Sequence, residues 1–252
     1  MKYIVCAFAF FLLATCNKWE NPPTPVDTSK LTTVEKDSLI RDLNFEFGAP
    51  MFVDSSTYFI VPLKMSPWAR KNRGGSLSSD SYFSSKYYGN SNNASWNLLF
   101  CNQITGSPHK LSNKKMVILK VDLNRRKTGS KLKEFIFYRI IDTDTNQDGD
   151  VNFDDKSNLF YSSVSGKNLT RLTPKDEQLK SYSFIPDTEQ LMVHTIRDGD
   201  KNGKIDSKDD NVLYILTLSQ EPELKEILNP DFGRSLKEMY FDQWIPKVMP
   251  KE

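Results

Sequence analysis

Two twelve-residue segments, residues 144–155 (the first loop) and 198–209 (the second loop), place oxygen-bearing side chains at matching positions. Each has Asp or Asn at positions 1, 3, 5, 9 and 12 and glycine at position 6. Calcium prefers six to eight hard oxygen ligands around such a turn, and position 7 supplies a backbone carbonyl. The candidate calcium ligands are Asp144, Asn146, Asp148, Asp150, Asn152 and Asp155 in the first loop, and Asp198, Asp200, Asn202, Lys204, Asp206 and Asp209 in the second.

Both loops resemble EF-hand loops in ligand spacing and in the apolar residue at position 8, Val151 or Ile205. Position 12 is Asp and not the usual Glu, as in the dockerin-like bacterial loops that they also resemble. Because Asp is one methylene shorter, we expect weak affinity, on the order of 10⁻⁴ to 10⁻⁵ M. No Met-rich amphipathic helix pair flanks the loops, so we expect structural calcium. The alternative is a pair of solvated acidic turns.

The first residues have the pattern of a bacterial lipoprotein signal: a basic start at Lys2 and a short apolar run. Leu13-Ala14-Thr15-Cys16 resembles a lipobox, which implies lipidation of Cys16, removal of residues 1–15 and attachment to a membrane. A plain signal peptide cleaved nearby is the alternative. Because Asn17 and not Asp follows the cysteine, we expect an outer-membrane lipoprotein of a diderm bacterium, on the periplasmic face or the cell surface.

The predicted organisation after the signal is a lipidated Cys16 with a Pro-rich tether over residues 16–30, and one domain over residues 31–252. Losing residues 1–15 removes one of the 34 basic residues, so 33 basic and 32 acidic residues remain, a balance of +1. That balance argues against nucleic acid as a partner. Besides Cys16 the processed chain would keep Cys101 alone, which excludes a disulfide framework.

The two loops belong to a larger repeat. Fifty-four residues separate Asp144 from Asp198, and the same spacing separates Leu159 from Leu213. Each copy continues as an apolar strand, a polar turn and a short return strand, and a third copy without the acidic loop begins at Asn97. Repeats of this length indicate stacked supersecondary units.

The run 159–174, LFYSSVSGKNLTRLTP, resembles the blade repeat of TolB-like β-propellers. This implies an all-β fold, either propeller-like or a curled antiparallel β-repeat domain, with the calcium loops as long hairpin connections between strands. A capping box at Thr32–Glu35 predicts a short N-terminal helix, and a second short helix is expected over Phe232–Met239. Further strands are expected at Thr57–Leu63, Lys115–Asp122, Phe135–Ile141, Ser181–Ile185 and Leu191–Ile196.

Nothing in the sequence requires catalysis, since it has no nucleophile elbow, zinc-protease or nucleotide-binding motif and contains two histidines. We therefore predict a non-catalytic binding or scaffold module with a protein or glycan partner. The polar segment Ser66–Trp96 is the candidate contact for that partner, or else a mobile surface loop. The alternative function is an accessory hydrolase of polysaccharide or peptide. The residues considered for it are the carboxylates Asp54 and Glu134 and the aromatic residues Trp68, Tyr87 and Trp96.

Overall fold

The computed structural model describes residues 28–43, 45–54, 56–64, 94–123, 131–219 and 222–245. The chain divides into two compact units, Met1–Arg41 and Asp42–Glu252. A 3-10 turn at Thr28–Lys30 precedes helix α1 (Thr33–Asp42). The predicted capping box closes this helix, because the Glu35 N–H donates to Thr32 Oγ1 at 3.3 Å and the Thr32 N–H donates to Glu35 Oε2 at 2.9 Å. The N–H and the hydroxyl of Thr32 both donate to the Glu35 carboxylate and lower its pKa.

The described part of the second unit is mostly antiparallel β-sheet, which confirms the predicted all-β class. A 3-10 turn at Lys131–Glu134 precedes the sixth strand, and helix α2 (Pro230–Trp244) follows the last. The strands are β1 (Met51–Phe52), β2 (Tyr58–Lys64), β3 (Ser95–Asn102), β4 (Pro108–Lys110), β5 (Val117–Asp122), β6 (Phe135–Ile141), β7 (Asn158–Ser163), β8 (Thr170–Arg171), β9 (Gln178–Phe184), β10 (Gln190–Arg197), β11 (Asp210–Thr217) and β12 (Glu223–Glu226).

The strands form three successive four-stranded meanders, which we call the first (β1–β4), second (β5–β8) and third (β9–β12) meander. Pairing of Ser95 with Ile118 joins the first and second meanders into one sheet, whereas the third meander is a separate sheet. Among the described strands, no pairing connects the first meander to the third. The sheets are therefore open and do not close into a ring.

A backbone hydrogen bond beyond the fourth strand returns to the third strand in every meander. The three pairs are the N–H of Leu111 with the carbonyl of Leu98 (2.9 Å), Leu172 with Leu159 (2.8 Å), and Ile227 with Leu213 (2.8 Å). The three sequence copies are thus the third and fourth strands of three like units. In the second copy Gly166 has φ +76°, and a Cβ there would lie 2.5 Å from the Phe100 ring, so only glycine suits this approach between meanders.

Two apolar clusters hold the meanders together, and β6 contributes to both because successive side chains of a strand point to opposite faces. The second meander is therefore covered on both faces. The outer faces of the first and third meanders meet no further meander in the described part of the chain. The cluster between the first two meanders includes Ile60, Leu98, Phe100, Ile136 and Tyr138, and that between the last two includes Phe137, Leu159, Leu191, Val193 and Tyr214.

The predicted elements all overlap observed ones. Strand β10 begins one residue earlier than expected, at Gln190, and strand β9 and helix α2 begin earlier by three and two residues. Strand β9 starts at Gln178, because Leu179 is buried and its N–H donates to the Ser157 carbonyl at 2.7 Å. Helix α2 starts at Pro230, because the Asn229 side chain accepts from the Phe232 N–H. In both places a single capping or buried residue decides the boundary, and the apolar pattern alone does not show it.

Candidate metal sites

The two predicted loops occupy the same place in successive meanders. The first loop connects β6 to β7, the second connects β10 to β11, and both strand pairs are antiparallel neighbours, as predicted for hairpin connections. Lys156, directly after the first loop, donates to the Asp176 carbonyl at 3.0 Å, close to the start of β9. Since β9 starts where β10 ends, both loops emerge at one edge of the stacked meanders. The corresponding β2–β3 connection includes residues 65–93, which lie outside the described residues.

The backbones of the two loops agree at positions 4 and 6. Position 4 has a positive φ in each, 62° at Gln147 and 59° at Lys201. Position 6 also has a positive φ, 91° at Gly149 and 80° at Gly203, which glycine adopts without strain. The position-6 N–H donates to the position-1 carboxylate in both loops. The distances are 2.9 Å from Gly149 to Asp144 Oδ2 and 2.8 Å from Gly203 to Asp198 Oδ2.

The position-12 carboxylates close the loops from the inside. Asp155 and Asp209 are both buried, 5% and 8% exposed. Each accepts one hydrogen bond from the N–H at position 9 and another from the N–H at position 2, so each carboxylate joins the two ends of its loop. The donors are Asn152 (3.0 Å) and Thr145 (2.6 Å) for Asp155, and Asp206 (2.6 Å) and Gly199 (3.1 Å) for Asp209.

The remaining predicted ligands lie on the turn at the loop tips, mostly at exposed positions. Position 7 is oriented by position 5, since the Asp150 N–H donates to Asp148 Oδ1 at 2.9 Å and the Lys204 N–H donates to Asn202 Oδ1 at 2.7 Å. Asn146 reaches Asp148 in the same turn, where its Oδ1 accepts from the Asp148 N–H at 3.0 Å. The Asp and Asn side chains that the motif requires therefore also stabilise the turn at each loop tip through hydrogen bonds to the backbone.

In the second loop three carboxylates converge. Asp198, Asp200 and Asp209 each place an oxygen within 4.8 Å of the other two. Three like charges at this separation repel one another unless a cation lies among them. Burial raises the pKa of Asp198, but the N–H donors of Gly203 and Asn202 and the charge of Lys156 outweigh it, so this pKa lies below its usual value.

In the first loop one ligand atom lacks a partner. Asp144 Oδ1 is buried and accepts no hydrogen bond from the described part of the chain. Burying an unpaired carboxylate oxygen costs on the order of 1–3 kcal/mol or more, and a cation in the loop would supply the missing partner. Nearby, the hydrogen bond from the Asp150 N–H lowers the pKa of Asp148, helped by Asn152, Asn146 and Lys115.

Several charged residues around the loops could not be found from the sequence. Their partners lie 20 to 35 residues away, so no local pattern signals them. The Arg171–Asp142 pair connects β8 to the end of β6, and the Arg197–Glu177 pair lies where the second loop begins. The pairs are Lys115 Nζ with Asp150 Oδ1 (2.8 Å), Arg171 Nη2 with Asp142 Oδ1 (2.5 Å) and Arg197 Nε with Glu177 Oε1 (2.8 Å).

The residues considered for hydrolysis are not brought together by the described structure. Asp54 and Glu134 are both exposed, and Trp96 packs against the Phe45 ring at 5.9 Å between centroids. Trp68 and Tyr87 lie outside the described residues, and so does Cys16. None of the described helices has the length and apolar character needed to cross a membrane.

Comparison with known proteins gives little. No protein-family model matches the chain, and no curated protein matches it. Among solved structures it is similar to a chain described as the crystal structure of the tricorn protease, with 11% sequence identity and a TM-score of 0.36. The match covers 75% of this chain and 16% of that chain. At that TM-score the similarity identifies neither a family nor an activity, and the fold assignment rests on the strands described above.

Proposed function

We propose that the protein is a calcium-binding, lipid-anchored β-repeat module outside the inner membrane, in which calcium has a mainly structural role. The agreement between the two loops is the observation that supports this most. One ligand spacing, one pair of positive-φ positions and one set of inward hydrogen bonds recur in hairpins of two meanders. A solvated acidic turn does not require the ligand spacing, the positive-φ positions and the inward hydrogen bonds to recur together.

Calcium fits these loops better than other common metals. All the candidate ligands are oxygens, whereas zinc sites use histidine and cysteine. Magnesium demands near-ideal octahedral geometry and keeps several waters, whereas calcium accepts a flexible loop with up to eight ligands. The converging carboxylates of the second loop and the unpaired Asp144 Oδ1 of the first are the groups that such a cation would satisfy.

A structural role follows from where the loops are attached. Each loop connects two strands whose side chains form the clusters between meanders, so a cation that fixes the loop also fixes both strand ends. The module would then offer a rigid edge to a protein or glycan partner. Lipidation of Cys16 would keep that edge at the outer membrane, on its periplasmic face or at the cell surface.

Calorimetric titration of the full-length chain, stripped of metal with chelator, tests this proposal. We expect two binding events with Kd on the order of 10⁻⁴ to 10⁻⁵ M. Saturation at about 100 times Kd would stabilise the fold by about 2.7 kcal/mol per site. The Asp144→Asn and Asp198→Asn variants should each lose one event, whereas Asp54→Asn, an exposed carboxylate outside the loops, should keep both. A chain that takes up no calcium at millimolar concentration would overturn the proposal.

A further inference from the structure

A buried ion pair lies at the end of β10, directly before the second loop. Glu177 is 2% exposed and comes directly before β9. Its carboxylate accepts hydrogen bonds from Arg197 Nε at 2.8 Å, from the Tyr214 hydroxyl at 2.9 Å and from the Thr195 hydroxyl at 2.5 Å. Both oxygens of this buried carboxylate therefore have partners within the third meander.

The guanidinium of Arg197 joins the end of β10 to the rest of the third meander. Its Nη2 donates to the Tyr214 hydroxyl on β11 at 2.7 Å and to Glu226 Oε2 on β12 at 3.1 Å. With the bond to Glu177 at the start of β9, these contacts connect all four strands. We call Arg197 and its partners Glu177, Tyr214 and Glu226 the arginine clamp.

Stability alone does not account for this buried pair. A carboxylate loses its hydration on burial, and well-packed apolar residues of similar volume are often as stabilising as a buried ion pair. The place of the clamp indicates another role, because Arg197 directly precedes Asp198, position 1 of the second loop. A binding site needs its ligands held near the productive geometry by supporting residues whose own positions are fixed.

We infer that Arg197 is a positioning residue for the cation site of the second loop, an inference that rests on the proposed calcium binding. The clamp fixes the end of β10, and the end of β10 determines where the Asp198 carboxylate lies relative to those of Asp200 and Asp209. Apolar packing does not do this for the second loop, because Ile205, at position 8, belongs to none of the apolar clusters of the described residues.

Charge and position predict opposite effects when Arg197 is neutralised. A positive charge beside a cation site weakens binding, so the loss of that charge alone would strengthen it. The loss of a positioning residue weakens binding instead. We expect Arg197→Gln to weaken calcium binding at the second loop about tenfold, the lower end of the effects of removing outer partners of metal ligands. Binding at the first loop should not change, since Arg197 lies in the third meander.

Calorimetry of the full-length chain in two backgrounds measures the loops separately. The second loop alone should bind calcium in Asp144→Asn, and the first loop alone in Asp198→Asn. Arg197→Lys keeps the charge but not the planar fork that reaches several partners, so it should weaken the second loop by less than Arg197→Gln does. Lys225→Gln is the control, because Lys225 is an exposed basic residue beside Glu226 and lies outside the clamp. It should leave both loops unchanged.

Unchanged or tighter binding at the second loop in Arg197→Gln would overturn the inference, and so would equal weakening of both loops. If Arg197→Gln does not fold, Arg197→Lys decides by the same comparison. Weaker binding at the second loop alone would support the inference, and unchanged binding would overturn it. Failure of the proposed function is a different result, in which the wild-type chain binds no calcium in either loop.

Discussion

The first and second loops share their ligand spacing and their two positive-φ positions but are held in place by different means. The first loop sends Val151 and Phe153 into an apolar cluster formed by Ala94, Val117 and Ile141. In the second loop the position-8 residue, Ile205, is half-buried and belongs to none of the apolar clusters of the described residues. Packing against the sheet therefore supports the first loop far more than the second.

Hydrogen bonds to the position-12 carboxylate also support the first loop more than the second. Asp155 accepts from Asn152, from the Asn146 N–H, and from both the N–H and the hydroxyl of Thr145. Asp209 accepts from two backbone N–H groups, because position 2 of its loop is glycine. The second loop also gathers three carboxylates. The two loops thus differ in how many hydrogen bonds their position-12 carboxylates already accept when no cation is bound.

The largest expected effect comes from removing the apolar support of the first loop. Phe153→Ala should lower the free energy of unfolding by about 2 kcal/mol, less than a fully buried Phe→Ala change because the side chain is half-buried. The loss should be the same in chelator and in saturating calcium, since packing does not depend on the ion. Urea unfolding under both conditions measures it.

Ile205→Ala is the matched variant of the second loop, and we expect a loss of about 0.5 kcal/mol or less. Its effect should be similar in chelator and in calcium. Equal losses for Phe153→Ala and Ile205→Ala would show that packing does not distinguish the loops.

An intermediate effect is expected from the position-12 carboxylates, and here the size of the effect in chelator separates the loops. In chelator, Asp155→Asn should lower the free energy of unfolding by about 1.5 kcal/mol, because four donors lose a charged acceptor. Asp209→Asn should cause no loss in chelator, because it removes one of three repelling charges. In calcium both variants should be less stable than the wild type, since each has lost a ligand.

Thermal or urea unfolding of both variants, with and without chelator, gives the four values required. Asp154→Asn, an exposed carboxylate that is not a candidate ligand, serves as the control. If Asp209→Asn were as harmful in chelator as Asp155→Asn, the second loop would be satisfied by the protein alone and the comparison would fail.

The sequence predicted the meander repeat and the loop conformation because both depend on local spacing. The 54-residue period fixes which strands correspond, and Gly149 and Gly203 fix the turns. The difference between the loops was not predictable in this way. It depends on Ala94 and Val117, which come from another part of the chain and pack beside Phe153 only after folding.

Other features could not be predicted from the sequence, because they depend on contacts between residues that are distant along the chain. The sequence showed three copies of a two-strand repeat, but the joining of the first two meanders through Ser95 and Ile118 follows from tertiary packing. The side chains of α2 have the same spacing as those of a buried helix, so the pattern alone could not show that they are exposed in the described structure.

The smallest effect is expected from Lys115, which pairs with Asp150 beside the first loop at 2.8 Å. Both side chains are largely exposed, so Lys115→Ala should lower stability by no more than about 0.5 kcal/mol. Removing this positive charge should also strengthen calcium binding to the first loop, by about 0.5 kcal/mol or roughly twofold at low salt. The second loop should be unaffected. Calorimetry of the Asp198→Asn background, where the first loop alone binds, measures the change.

Lys114→Ala is the matched control, since Lys114 is an exposed neighbour of equal charge whose Nζ has no part in the Lys115–Asp150 pair. The difference between the two variants should shrink as salt is raised, because a mobile ion atmosphere screens exposed charges over about 10 Å at 0.1 M. A twofold gain that persisted at high salt would mean that Lys115 acts through the loop conformation. Lys115 would then have to be counted with Phe153 among the groups that position the first loop, and the packing contrast between the loops would be larger than the apolar contacts alone imply.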